Sequence, residues 1–216
     1  MERIKMERIL GLVDASFAIV MTIMVLEVNW PHEASWQVIW ETRHGLISYA
    51  TSFLMIFTLW RSFNIDFARV KTVDNKSING YGLVLFFASI LPFATGYYVE
   101  NIDTRIGASV YAISFMLLSI SVYYFYYRVE KANPDDKEIY DDTEPDLRDL
   151  GMVFGTILGF IFVWFAPNLV LWIQLIIVLI FNISEETFPI VGMHLRELFA
   201  DSKKTVKAKK SGKPGK

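Results

Sequence analysis

No cysteine occurs in the 216 residues, which excludes disulfides, thiolate metal sites and cysteine nucleophiles together. Histidine is nearly as scarce: His32, His44 and His194 stand too far apart to suggest a metal site. No HExxH, P-loop or GxSxG pattern is present, so no constellation of nucleophile, base and metal ligands can be assembled. An enzyme is therefore not expected, and neither is a bound cofactor or metal. Net charge is close to zero, at −2, and gives no reason to expect a nucleic-acid partner. A cleavable leader is not expected either. The first apolar run has full length, ends at Asn29-Trp30-Pro31 and lacks a small-residue cleavage site.

What the chain has in abundance is apolar sequence. Hydrophobic residues make up 53% and aromatic residues 15%, and the mean hydropathy is +0.35. That is too apolar for an ordinary soluble domain. The apolar residues are gathered into blocks separated by short polar stretches. A hydrocarbon core about 30 Å thick needs ~20 helical residues, and six blocks approach that length. The expected fold class is therefore all-α, a polytopic membrane protein with six transmembrane helices per subunit. The expected spans run from Arg8 to Val28, from Gly45 to Trp60 with an amphipathic continuation toward Phe67, and from Gly80 to Tyr98 with an interruption at Pro92. The remaining three run from Ile106 to Tyr127, Leu150 to Phe165 and Leu169 to Ile183. Only Ala166-Pro167-Asn168 separates the last two, which forces an antiparallel hairpin. The rings of Tyr123-Tyr124-Phe125-Tyr126-Tyr127 favour a membrane interface.

Six spans put both termini on one side, and the basic residues choose which. All of the 21 Lys and Arg except Arg43 and Arg105 fall on the side of the termini. The positive-inside rule places that side in the cytoplasm of a multi-pass cell-membrane protein. The organisation expected is a membrane domain over residues 1–190 and a basic cytoplasmic tail over 191–216. The tail is rich in Lys and Gly and reads either as a lipid-attracted segment or as a solubilising one. Glu130 to Asp149 reads as an acidic, solvated loop. No internal repeat is visible, so an inverted-repeat transporter finds no support.

Polar chemistry concentrates in the first helix. Asp14 lies several residues into an apolar span, where an ionised carboxylate costs about 2.5–3.5 kcal/mol or more unless paired or hydrated. With Arg8 it reads as a structural polar pair or cap, or as a polar site at a pore entrance. Further along, Ile19, Thr22, Ile23 and Leu26 recur at i, i+3, i+4 and i+7 and share one helical face. Such a stripe faces lipid, protein or a pore.

These residues resemble the prokaryotic branch of the transmembrane-protein-175 potassium-channel family. The first block reads Arg8 through Asp14, then Phe17-Ala18-Ile19, Thr22, Leu26-Glu27 and Pro31. A second matches Trp60, Phe63, Asn64 and Phe67; a third matches Asn79, Ser89, Pro92, Phe93 and Thr95. Two positions depart from the pattern. Leu12-Val13 stands where the family has Phe-Ser, and Phe63-Asn64 where it has His-His.

The resemblance implies a homotetramer with four first helices around a central pore that passes K⁺ and other monovalent cations across the lipid bilayer. Carried onto this chain, Ile19, Thr22, Ile23 and Leu26 become the pore wall and its apolar constriction. Glu27, with Glu33 and Glu41, becomes a cation-attracting outer mouth. A potassium-preferring channel is the first expectation. A proton- or cation-coupled carrier using Asp14, Gln174 and Glu27, or a non-conducting scaffold, are the alternatives.

Overall fold

The computed structural model describes residues 4–27, 35–68, 70–133 and 147–187. The helix stop expected at Pro31, together with His32, Glu33, His194 and the basic tail, lies outside them. So does most of the acidic loop. By compactness the chain divides into two units, Met1–Val178 and Leu179–Lys216.

The described residues form seven α-helices: α1 (Met6–Ile23), α2 (Trp36–Glu41), α3 (Arg43–Asp66), α4 (Asn75–Glu100), α5 (Arg105–Ala132), α6 (Leu147–Phe162) and α7 (Leu169–Thr187). A 3₁₀ turn, Met24–Glu27, continues α1. Among the described residues four helical stretches are long and apolar enough to cross a membrane: Met6–Glu27, Arg43–Asp66, Asn75–Glu100 and Arg105–Ala132. Among the described residues α6 and α7 also carry apolar stretches, Val153–Phe162 and Leu169–Ile180.

Local chemistry sets the helix starts. Ser35 caps α2 by accepting from the Val38 N–H, and Thr104 caps α5 by accepting from that of Gly107. Asp74 caps α4 with a 2.8 Å bond from the Ser77 N–H. That cap moves the start of α4 back from the expected Gly80 to Asn75. Pro92 does not interrupt the helix; α4 continues through it to Glu100. Pro92 is itself buried, so packing around it holds the helix together where proline removes a backbone donor.

Two features have no counterpart in the hydropathy pattern. One is the short helix α2, none of whose residues is buried. The other is an antiparallel ribbon pairing β1 (Ile4–Lys5) with β2 (Thr72–Val73), Ile4 opposite Val73 and Lys5 opposite Thr72. The Met6 N–H donates to the Lys71 carbonyl at 2.9 Å, so the start of α1 is tied to the connection between α3 and α4.

The core lies where α1, α3, α4 and α5 converge. Phe17 and Phe63 have ring centroids 5.9 Å apart, and Phe63 also meets Phe67 at 5.4 Å and Tyr126 at 5.8 Å. Phe125 closes the cluster, 5.1 Å from Phe67. Further along, Tyr98 and Tyr111 stack at 4.8 Å. Arg128 bridges α5 to the α4 cap through a 3.0 Å ion pair with Asp74.

Candidate pore helix and its anchors

Helix α1 has two unlike faces. Met6, Ile9, Val13, Phe17, Val20 and Met24 are buried, at spacings of three or four residues. On the other side Ile19 is 58% exposed, Ile23 42% and Leu26 76%. Thr22 is exposed beside them, its hydroxyl donating to the carbonyls of Ala18 at 3.0 Å or Ile19 at 2.9 Å. That bond satisfies the proton within the helix. A lone pair of the hydroxyl oxygen is left free to accept a hydrogen bond or contact a cation.

The remaining sequence-derived residues are distributed as follows. Asp14 accepts a 2.8 Å bond from the Trp60 indole and a longer one, 3.4 Å, from the Asn64 amide. The same amide donates to the Trp60 carbonyl at 2.9 Å. The first two motif blocks therefore meet in space: the α1 carboxylate is held by the α3 tryptophan and by the residue replacing the second His. Arg8 is exposed and makes no ion pair with Asp14. Six residues apart on a helix turning ~100° per residue, the two point to different sides of α1.

The departures from the family pattern fall in apolar surroundings. Val13 and Phe63 are both fully buried, and Phe63 fills its site with ring contacts. A hydroxyl and an imidazole there would each require a polar partner inside the core. In the third block, Thr95 joins Ser52 at 2.8 Å, and Ser52 lies 3.2 Å from the Tyr111 hydroxyl. This buried chain of hydroxyls links α3, α4 and α5.

Glu27 is half-buried at the end of the 3₁₀ turn, with its carboxylate turned toward α4 beside Gly96. At the opposite end of α1 a cleft of about 820 Å³ opens beside Asp14, lined also by Lys5, Glu7, Gly11 and Lys71. Gln174 is elsewhere, buried on α7 against Gly159 of α6, with both amide atoms unpartnered. It makes no hydrogen bond to Asp14 or Glu27 among the described residues. Among the described residues no cluster of three His, Asp or Glu side chains is placed to hold a metal ion.

Known proteins share both the sequence and the fold. Residues 8–92 match the model of the family described as the endosomal/lysosomal potassium channel TMEM175. A potassium channel of Chryseobacterium sp. (strain P1-3) is 21% identical over 173 residues, covering 80% of this chain and 90% of that relative. A potassium channel of Chamaesiphon minutus is 29% identical over 127 residues, covering 52% of this chain and 60% of the relative's length. The crystal structure of a lysosomal potassium-selective channel TMEM175 homolog from Chamaesiphon minutus superposes with a TM-score of 0.70 at 22% identity, over 84% of this chain and 98% of that one. The potassium channel MtTMEM175, as a variant bound to a nanobody–MBP fusion, gives a TM-score of 0.54 at 14% identity, over 88% and 92% of the two chains.

The fold is thus that of solved potassium channels, and the sequence relatives carry potassium-channel names. The family model over residues 8–92, the sequence relatives and the fold agree with the motif blocks in their similarity to the TMEM175 family. That similarity and the apolar helices support a membrane location.

Proposed function

We propose that the chain is a potassium-preferring cation channel of the cell membrane, a homotetramer whose four α1 helices surround a central pore. Each subunit crosses the bilayer six times, the hairpin of α6 and α7 supplying the last two spans, and both termini are cytoplasmic. Residues 1–190 form the channel and 191–216 a basic cytoplasmic tail. Ile19, Ile23 and Leu26 form the apolar constriction and Thr22 borders it. Arg8 and Asp14 stabilise the cytoplasmic end of α1, and Glu27 draws cations to the outer mouth.

The observation that carries this reading is the exposed face of α1. Only 28% of its most apolar stretch is buried within the subunit, against 50%, 44% and 56% for the other three candidate spans. A lipid-facing helix would also leave apolar residues exposed. This exposed face is not purely apolar, however. On a wheel of ~100° per residue Arg8 and Thr22 fall within the same arc as Ile19, Ile23 and Leu26. A guanidinium and a hydroxyl on one stripe fit a water-bearing pore better than acyl chains.

An apolar ring blocks ions because it cannot replace their hydration shell, and it empties of water when narrow. A polar or smaller side chain in the ring therefore eases passage. Potassium flux into liposomes should rise for Ile23→Asn and for Ile19→Ala, and preference for K⁺ over Na⁺ should weaken. Leu117→Ala on α5 serves as the control. Unchanged flux and selectivity in both ring variants, at matched tetramer content, would assign the stripe to lipid or protein contact.

A further inference from the structure

We infer that Gly96 of α4 is a positioning residue for the outer end of α1, a notch that seats Glu27 and thereby sets the direction of Leu26. A methyl group at position 96 would lie 2.6 Å from Glu27 Oε2, 3.2 Å from its Cβ and 3.5 Å from its Cδ. No carbon atom sits 2.6 Å from a nonbonded oxygen, so the side chain of Glu27 occupies space that only glycine leaves open. Among the described residues the carboxylate takes no hydrogen bond, and its contact with α4 at position 96 is one of shape.

The two contacts act differently. Oε2 is the end of a flexible side chain and swings away easily. The Cβ is fixed to the backbone of the 3₁₀ turn and must recede by a few tenths of an ångström. Met24, at the start of that turn, is fully buried and holds it from the other end. Displacement at Glu27 is therefore absorbed between these points, where Leu26 stands 76% exposed. Rigid packing passes small shifts on rather than damping them.

The consequence for conduction rests on the pore reading above, but the seat itself does not. The chain has no cysteine, so Leu26→Cys provides a lone reporter for a water-soluble thiol reagent. The reagent's rate is measured in four backgrounds: unaltered, Gly96→Ala, Glu27→Ala, and both together. Potassium flux is measured in parallel on the same four without the reporter.

Gly96→Ala should change the labelling rate and the flux by about threefold or more, and this change should largely vanish once Glu27→Ala has emptied the notch. Non-additivity of that size is the signature of direct contact. An equal factor in both backgrounds, or no effect in either, would overturn the inference. Absence of flux even in the unaltered protein would sink the channel reading while the labelling cycle still decides the seat. Should Gly96→Ala not assemble, Glu27→Asp shortens the arm from the other side. It should shift the labelling rate, and an unshifted rate would count against the notch.

Discussion

Helices α1 and α5 are both apolar and both long enough to span a bilayer, yet the subunit buries 28% of one and 56% of the other. Helix α5 turns Tyr111, Phe115, Leu118, Val122 and Phe125 into the core, all at most 3% exposed. Helix α1 commits one face to that core and leaves the other exposed. Hydropathy ranks α1 as the more apolar, at 2.3 against 1.8. Apolar character therefore does not tell which helix the fold depends on. Burial does.

The largest expected effect lies on the core side. Phe63→Ala removes a fully buried ring and should lower stability by about 3–5 kcal/mol, read as loss of folded protein on heating in mild detergent. Leu26→Ala, on the exposed face, should leave that measurement within about 0.5 kcal/mol while altering flux. Equal losses in the two variants would erase the contrast between the faces.

Asp14 tests the border between them, because it stands on the exposed side of α1 but is bonded to α3. Asp14→Ala leaves the Trp60 indole without its acceptor, while Asn64 keeps the Trp60 carbonyl; at this exposed position the loss should be about 0.5–1.5 kcal/mol. Tetramer yield in size-exclusion chromatography should fall before selectivity changes. A fully assembled Asp14→Ala protein with altered selectivity would move Asp14 from scaffold to pore.

The smallest effect concerns acid. Burial acts to raise the Asp74 carboxyl, but hydrogen bonds from the Ser77 hydroxyl and N–H, together with the charge of Arg128, outweigh it. They hold Asp74 below its ordinary value of 3.8. A carboxyl lowered by folding contributes stability that is fully present above the ordinary value and is lost as pH falls through the lowered one. Thermal stability should therefore decline more steeply below about pH 4 than it does in Asp74→Asn. Identical acid profiles would show that the α4–α5 link titrates without consequence.

Much of this arrangement was legible in the sequence. Hydropathy located α1, α3, α4 and α5, because each carries its signal within one continuous stretch. Periodicity gave the face bearing Ile19, Thr22, Ile23 and Leu26. The ribbon was not legible: two residues make no pattern, and Ile4 finds its partner only at Val73. Helix α2 is shorter than any periodic window. The early start of α4 did leave a trace, since Asp74 three residues before Ser77 is a capping signal. The Asp14–Trp60 bond joins two motif blocks whose order is visible in the chain but whose contact is not. Gly96 gave no signal at all, for a notch consists of an absent side chain.

The ribbon also turns α1 into a lever. Its first residue is clamped by the Met6–Lys71 bond and the strand pair beside it, so that end acts as the hinge. From there 18 residues of helix reach about 27 Å at ~1.5 Å per residue. A swing of only ~2° about the hinge therefore carries the far tip through about 1 Å. In the proposed pore that movement is applied by four arms at once. Because Phe17, Val20 and Met24 are packed in the core, the swing open to the tip in that pore is only as large as this packing yields.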